Sequence, residues 1–160
     1  MGWEPVAAHL YAVPLQNCRD VRSLFPEGKG DKTGTMLDWF EIKRLARGLN
    51  LPAICEDTRR NGHPCLLAHG RLWTWWDLDQ NAPGFRLPAG ECEFLIACEP
   101  DIFYVGRHEI CHNHVFARPE RVNRNWVMGN LSLSWRALAP QVFVDQFPGE
   151  GPPVPQFADF

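Results

Sequence analysis

Fourteen prolines and thirteen glycines are scattered through the 160 residues of this chain. Proline lacks a backbone N–H and fixes φ, and glycine readily leaves the helical and extended basins, so each one punctuates local structure. A chain interrupted this often is not built from long helices. The pattern predicts short strands joined by turns. Its last stretch carries Pro148, Pro152, Pro153 and Pro155, which predicts an extended tail over 148–160 behind one globular domain, 1–147.

The rest of the composition allows a real core. Hydrophobic residues make up 45% and charged residues 22%, with a formal net charge of −3. These values exclude a wholly disordered chain, a collagen, a coiled coil and a strongly basic nucleic-acid binder. No apolar run is long enough to span a bilayer, so no membrane partner is expected. Met1-Gly2-Trp3-Glu4-Pro5 opens no basic and apolar leader, and the expected location is the cytoplasm. On that basis Cys18, Cys55, Cys65, Cys92, Cys98 and Cys111 are expected as thiols rather than disulfides.

One helix stands out, over 36–47. Thr35 precedes it as a cap, Asp38 follows three residues on, and Trp39, Ile42, Ala46 and Leu49 recur at helical spacing. Gly48 and Pro52 end it. Residues 53–77 read as a meander. Asn61-Gly62 predicts a two-residue hairpin loop pairing Arg60 with His63. That register lines up Glu56, His63, Cys65 and His69 on one face, the residue types of Cys–His catalysis or simply a polar strand face. Residues 92–98, 101–105, 131–135 and 141–147 read as further strands. The fold expected is α+β: a single domain with a twisted, mostly antiparallel sheet of five to seven strands packed on the helix at 36–47.

Two segments have metal-ligand spacing. His108-Glu109-Ile110-Cys111-His112 resembles the H-E-x-x-H motif of the zincin metallopeptidases, and its wording is similar to the SprT-like branch. The resemblance implies His108 and His112 as zinc ligands and Glu109 as general base on the metal-bound water. No histidine follows His114 to supply the third ligand. Gly106, His112, His114, Glu120 and Gly129 resemble the first cupin motif, which implies His112 and His114 as ligands on one barrel wall, but the spacers are longer and no second motif follows. A structural zinc site drawing on Cys111, His112, His114 and Cys92 or Cys98 is a third arrangement. Asp77-Leu78-Asp79-Gln80-Asn81 begins like a calcium loop, but Ala82 replaces its glycine, so it reads as an acidic turn.

Seven tryptophans are the most distinctive part of the composition. Trp73, Trp75 and Trp76 fall on one strand, so at least one indole is expected to face away from the core and stand exposed. Arg118, Arg121, Arg124 and Trp126 form a second arginine–aromatic cluster. Tryptophan and arginine are the residues of protein-binding hot spots. Nothing in the balance of charge supports nucleic acid as the partner. The function expected is that of a small soluble binding or inhibitory protein, of the phage or mobile-element accessory type, contacting another protein and needing no cofactor. The alternative is a zinc-dependent hydrolase or cupin-like metalloprotein centred on His108, Glu109, His112 and His114.

Overall fold

A computed structural model describes residues 36–87, 90–106 and 113–146. The first helix, α1, is Trp39–Gly48. Its cap is Asp38, whose carboxylate accepts from Glu41 N at 2.7 Å, so it begins later than the expected 36. Four strands follow as β1 Ile54–Thr58, β2 Pro64–Ala68, β3 Arg71–Asp77 and β4 Ala82–Arg86. Then come α2 Glu91–Cys98, β5 Phe103–Tyr104, β6 His114–Ala117, α3 Arg124–Leu138 and α4 Gln141–Gln146. The six strands form one antiparallel sheet in the order β1-β2-β3-β4-β6-β5. The α+β architecture, with its helix at 39–48 against the sheet, is as the sequence predicts.

Three expected strands are helices. The 92–98 run is α2, 131–135 lies inside the 15-residue α3, and 141–147 becomes α4. In α3 the buried residues Trp126, Val127, Asn130, Leu131, Ser134, Trp135 and Leu138 recur at helical period. The Leu-Ser-Leu-Ser alternation is a short coincidence within that longer stripe. Asn123 caps the helix through Asn125 N at 2.7 Å, and Pro119 and Pro140 bound the proline-free stretch that holds it.

The two-residue loop expected at Asn61-Gly62 is found at the next hairpin instead. Arg59 and His63 close the first, leaving a three-residue loop with Gly62 at φ 84°. That is a type I turn ending in a left-handed residue. The two-residue loop with both positions at positive φ is His69-Gly70, at 52° and 75°. The shifted register separates the Cys–His constellation. Glu56 points towards α1, where Lys43 and Arg47 hold it, whereas Cys65 lies on the opposite face. His69 packs on Trp135 and Phe143.

A bulge in β3 decides where its tryptophans go. Leu66 pairs with Thr74 and Leu67 with Leu72, so Trp73 is the extra residue. It therefore turns to the helix-covered face with Trp76, and Trp75 alone faces the other way. All three indoles are buried, so the expected exposed indole is absent. Trp73 Nε1 donates to Leu131 O at 3.0 Å and Ser134 Oγ at 2.9 Å, tying β3 to α3. On the helix side the core joins Trp73, Trp76, Phe85, Val115 and Phe103 to Ile42, Leu95, Leu131 and Trp135. Cys92 is disulfide-bonded, against the expectation of six thiols, whereas Cys55 and Cys65 are free thiols. Among the described residues no helix is long and apolar enough to cross a membrane.

Candidate functional site: an arginine-capped aromatic row

Strand register builds a line of residues across the sheet face that points away from the core helices. Cys65 pairs with Trp75, Trp75 with Gly84, Gly84 with Phe116 and Phe116 with Tyr104. Gly84 supplies no side chain, and the Trp75 indole lies across its backbone. A Cβ there would meet Trp75 Cε2 at 2.2 Å. The gap brings Trp75 and Phe116 edge to face at 5.8 Å, although β4 lies between their strands. Tyr104 stacks on Phe116 from the far side at 5.8 Å, and His114 meets Trp75 at 5.6 Å.

An arginine covers each end. Arg59, from the first hairpin loop, lies 5.0 Å from the Trp75 ring centre. Arg118, just past β6, lies 5.1 Å from that of Tyr104. Neither guanidinium has a carboxylate partner among the described residues. A guanidinium held over a ring keeps its planar fork of N–H donors for an oxyanion. Trp75 Nε1 is buried with no acceptor, so the row also holds an unsatisfied donor. Burial raises the Tyr104 hydroxyl pKa, partly offset by Arg118, while Asp77 and Glu120 add to the rise. The row itself is buried at Trp75 and Phe116 and half-buried at Tyr104 and Arg59, while Arg118 is exposed.

Of the other predicted binding residues, Trp126 and Arg124 are engaged within the fold. Trp126 packs between Phe85 and Phe103 at 5.3 and 4.6 Å. Arg124 Nε donates to Glu41 at 3.0 Å and joins α3 to α1. Arg121 stands exposed, 3.8 Å from Asp101. Of the expected set, Trp75 and Arg118 come together on one face, and His114 sits beside them. Arg59, Tyr104 and Phe116 were not anticipated. For Phe116 the available signal was its alternate spacing with His114 and Arg118 along β6 and just past it. His108, Glu109 and His112 lie outside the described residues, so the motif built on them has only His114 in view.

His63, Asp77 and Asp79 also gather, with ligand atoms within 4.8 Å of one another. Their hydrogen bonding argues against a metal. Leu78 N donates to His63 Nδ1 at 2.7 Å, so that nitrogen carries no proton and the ring proton sits on Nε2. Nε2 is the atom that faces Asp79, at 3.7 Å. A metal-bound imidazole is arranged the other way, with its free nitrogen donating to an acceptor. Asp77 Oδ1 is likewise occupied, accepting from Asp79 N at 2.9 Å and Gln80 N at 3.0 Å. This is the acidic turn expected of the sequence, pinned by a histidine.

No family model matches the sequence, and no curated protein matches it. Among solved structures, the chain is similar to the crystal structure of the Deinococcus radiodurans protein DR2400, a DUF419 domain, with a TM-score of 0.57. The similarity covers 78% of this chain and 97% of that one at 12% identity, and at that identity it is a likeness of fold alone.

Proposed function

We propose that this protein acts by binding another protein, as a small accessory or inhibitory factor, and that the arginine-capped row receives acidic side chains of the partner. The observation that carries this reading is the pair of guanidiniums, each laid over a ring and neither matched by a carboxylate among the described residues. Unmatched arginines on aromatic supports are preorganised for carboxylates, and their ordering entropy is already spent on the ring contact. An acidic peptide is preferred to nucleic acid because Trp75 and Phe116 are too buried to stack on bases.

Calorimetric titration with an octaglutamate peptide tests the reading. Wild type should bind it in a salt-sensitive manner, and R59Q/R118Q should bind at least ten-fold more weakly. R59K/R118K should also weaken it, because an ammonium neither stacks nor forks. Equal affinity of wild type and R59Q/R118Q would remove the row from the interface. Tighter binding of an eight-nucleotide thymidine strand than of the peptide would replace a protein partner with nucleic acid.

A further inference from the structure

The sheet ends differently at its two edges. One edge is β5, only two residues long. The other is β1, five residues long and exposed from Cys55 to Thr58. His69 N donates to Ala53 O and Arg59 N to His63 O, both at 2.8 Å. Antiparallel bonding alternates, so Ala53, Cys55, Asp57 and Arg59 bond towards β2. Ile54 and Glu56 therefore turn their N–H and C=O groups to the open edge, where no described residue pairs with them. Thr58 N is already satisfied by Asp57 Oδ1 at 2.7 Å.

A groove of about 530 Å³ runs between that edge and α1. Its floor includes Ala46, Ile54 and Leu66, and its rim carries Lys43, Arg47 and Glu56. Lys43 Nζ lies 3.2 Å from Glu56 Oε2, and Arg47 bonds to Oε1 of the same carboxylate. Two cations thus share one anion, and the rim keeps a net positive charge.

We propose that the β1 edge and this groove dock an extended acidic segment of a partner protein, which adds a seventh strand beside β1 and sets a carboxylate on Lys43 and Arg47. Strand addition takes its affinity from main-chain hydrogen bonds and its selectivity from alternate side chains. Here the backbone groups of Ile54 and Glu56 supply the first, and the apolar floor with its cationic rim supplies the second. The site is separate from the arginine-capped row and does not depend on it.

The test uses the full chain carrying R59Q/R118Q, so that the row contributes nothing. The probes are capped octapeptides of alternating valine and glutamate, alternating valine and lysine, and the valine–glutamate peptide with N-methylated backbone. Amide hydrogen exchange is followed by NMR. The valine–glutamate peptide should slow exchange at Ile54 and Glu56 at least ten-fold and leave Cys55 and Asp57, already bonded, unchanged. The N-methylated and lysine peptides should bind at least ten-fold more weakly. Glu56→Gln should tighten binding several-fold by freeing both cations, and Arg47→Glu should weaken it ten-fold or more. Failure of the glutamate peptide to protect Ile54 and Glu56 at millimolar concentration overturns the proposal, as does a preference for the lysine peptide. Protection that grows with protein concentration in the absence of peptide overturns it in favour of a second copy of this chain.

Discussion

Two tryptophans two positions apart on β3 meet opposite fates, and the difference is a matter of one hydrogen atom each. Trp73 N–H has two acceptors on α3, whereas Trp75 N–H is buried with none. A net hydrogen bond contributes about 1 kcal/mol, and a buried unsatisfied donor costs about 1–3 kcal/mol. Phenylalanine removes the N–H from both sites, so W73F should destabilise the protein by about 2–4 kcal/mol more than W75F. Urea unfolding of the two variants measures the gap, and equal losses would show that packing, not the N–H, decides both sites. Gly84 is the second single-residue constraint. Its Cβ would stand inside the Trp75 ring, so G84A should cost about 3 kcal/mol and disturb the near-ultraviolet signal of the indole. Neither constraint was legible in the sequence. A glycine within a strand and three tryptophans in four residues say that something is tightly arranged, but the bulge that sorts them exists only once Leu66 and Leu67 choose partners.

At the scale of elements, legibility followed the range of the deciding interaction. Helix α1 was visible because its stripe and its stop are local. The β2–β3 meander was visible because glycine punctuates it, although the type of each turn was not. Asn-Gly is the stronger local signal for a two-residue loop, yet His69-Gly70 takes that role, with the His69 ring anchored between Trp135 and Phe143. Tertiary packing on α3 and α4 overrides the local preference. Helix α2 was hidden because its continuous apolar run, the five residues Phe94-Leu95-Ile96-Ala97-Cys98, has no period to read. Strand β4 was hidden by Pro83 and Gly84. Pro83 lies one residue before the β4–β6 ladder starts, so its missing N–H breaks no rung there. The clasp between α1 and α3 is likewise long-range. Glu41 accepts from Arg44 and Arg124, and chiefly the Arg44 bond lowers its pKa to about 2. A depressed carboxylate stabilises the fold above its unfolded pKa of about 4.5, and the gain is lost as pH falls through 2. Because the pair is partly solvated, Glu41→Gln should cost only about 1 kcal/mol at pH 7 and nothing measurable at pH 2, by thermal melts.

At the scale of the whole molecule, three groups among the described residues, with opposing signs, shape the dependence of stability on pH. Glu41 and His69 both favour the higher side. Burial lowers the His69 pKa, so protonation from pH 6.5 downwards favours the unfolded chain. Glu91 acts against them. It sits in the first turn of α2, where the helix dipole favours a carboxylate, yet burial prevails and raises its pKa to about 7. A raised carboxylate leaves stability untouched below its unfolded pKa of about 4.5, then removes it progressively as pH climbs to 7. Between pH 4.5 and 7 the losses at Glu91 and the gains at His69 therefore act against one another. Glu91→Gln keeps the shape of the side chain and deletes the titration. Its melting temperature should match wild type at pH 4, climb steadily through the neutral range and exceed wild type at pH 8, by an amount on the order of 2–3 kcal/mol. A gap between the two proteins that is the same at pH 4 and pH 8 would mean that Glu91 does not titrate in this window. Among the described residues the pH dependence near neutrality would then be carried by His69, and wild type itself would climb with pH as the variant is expected to do.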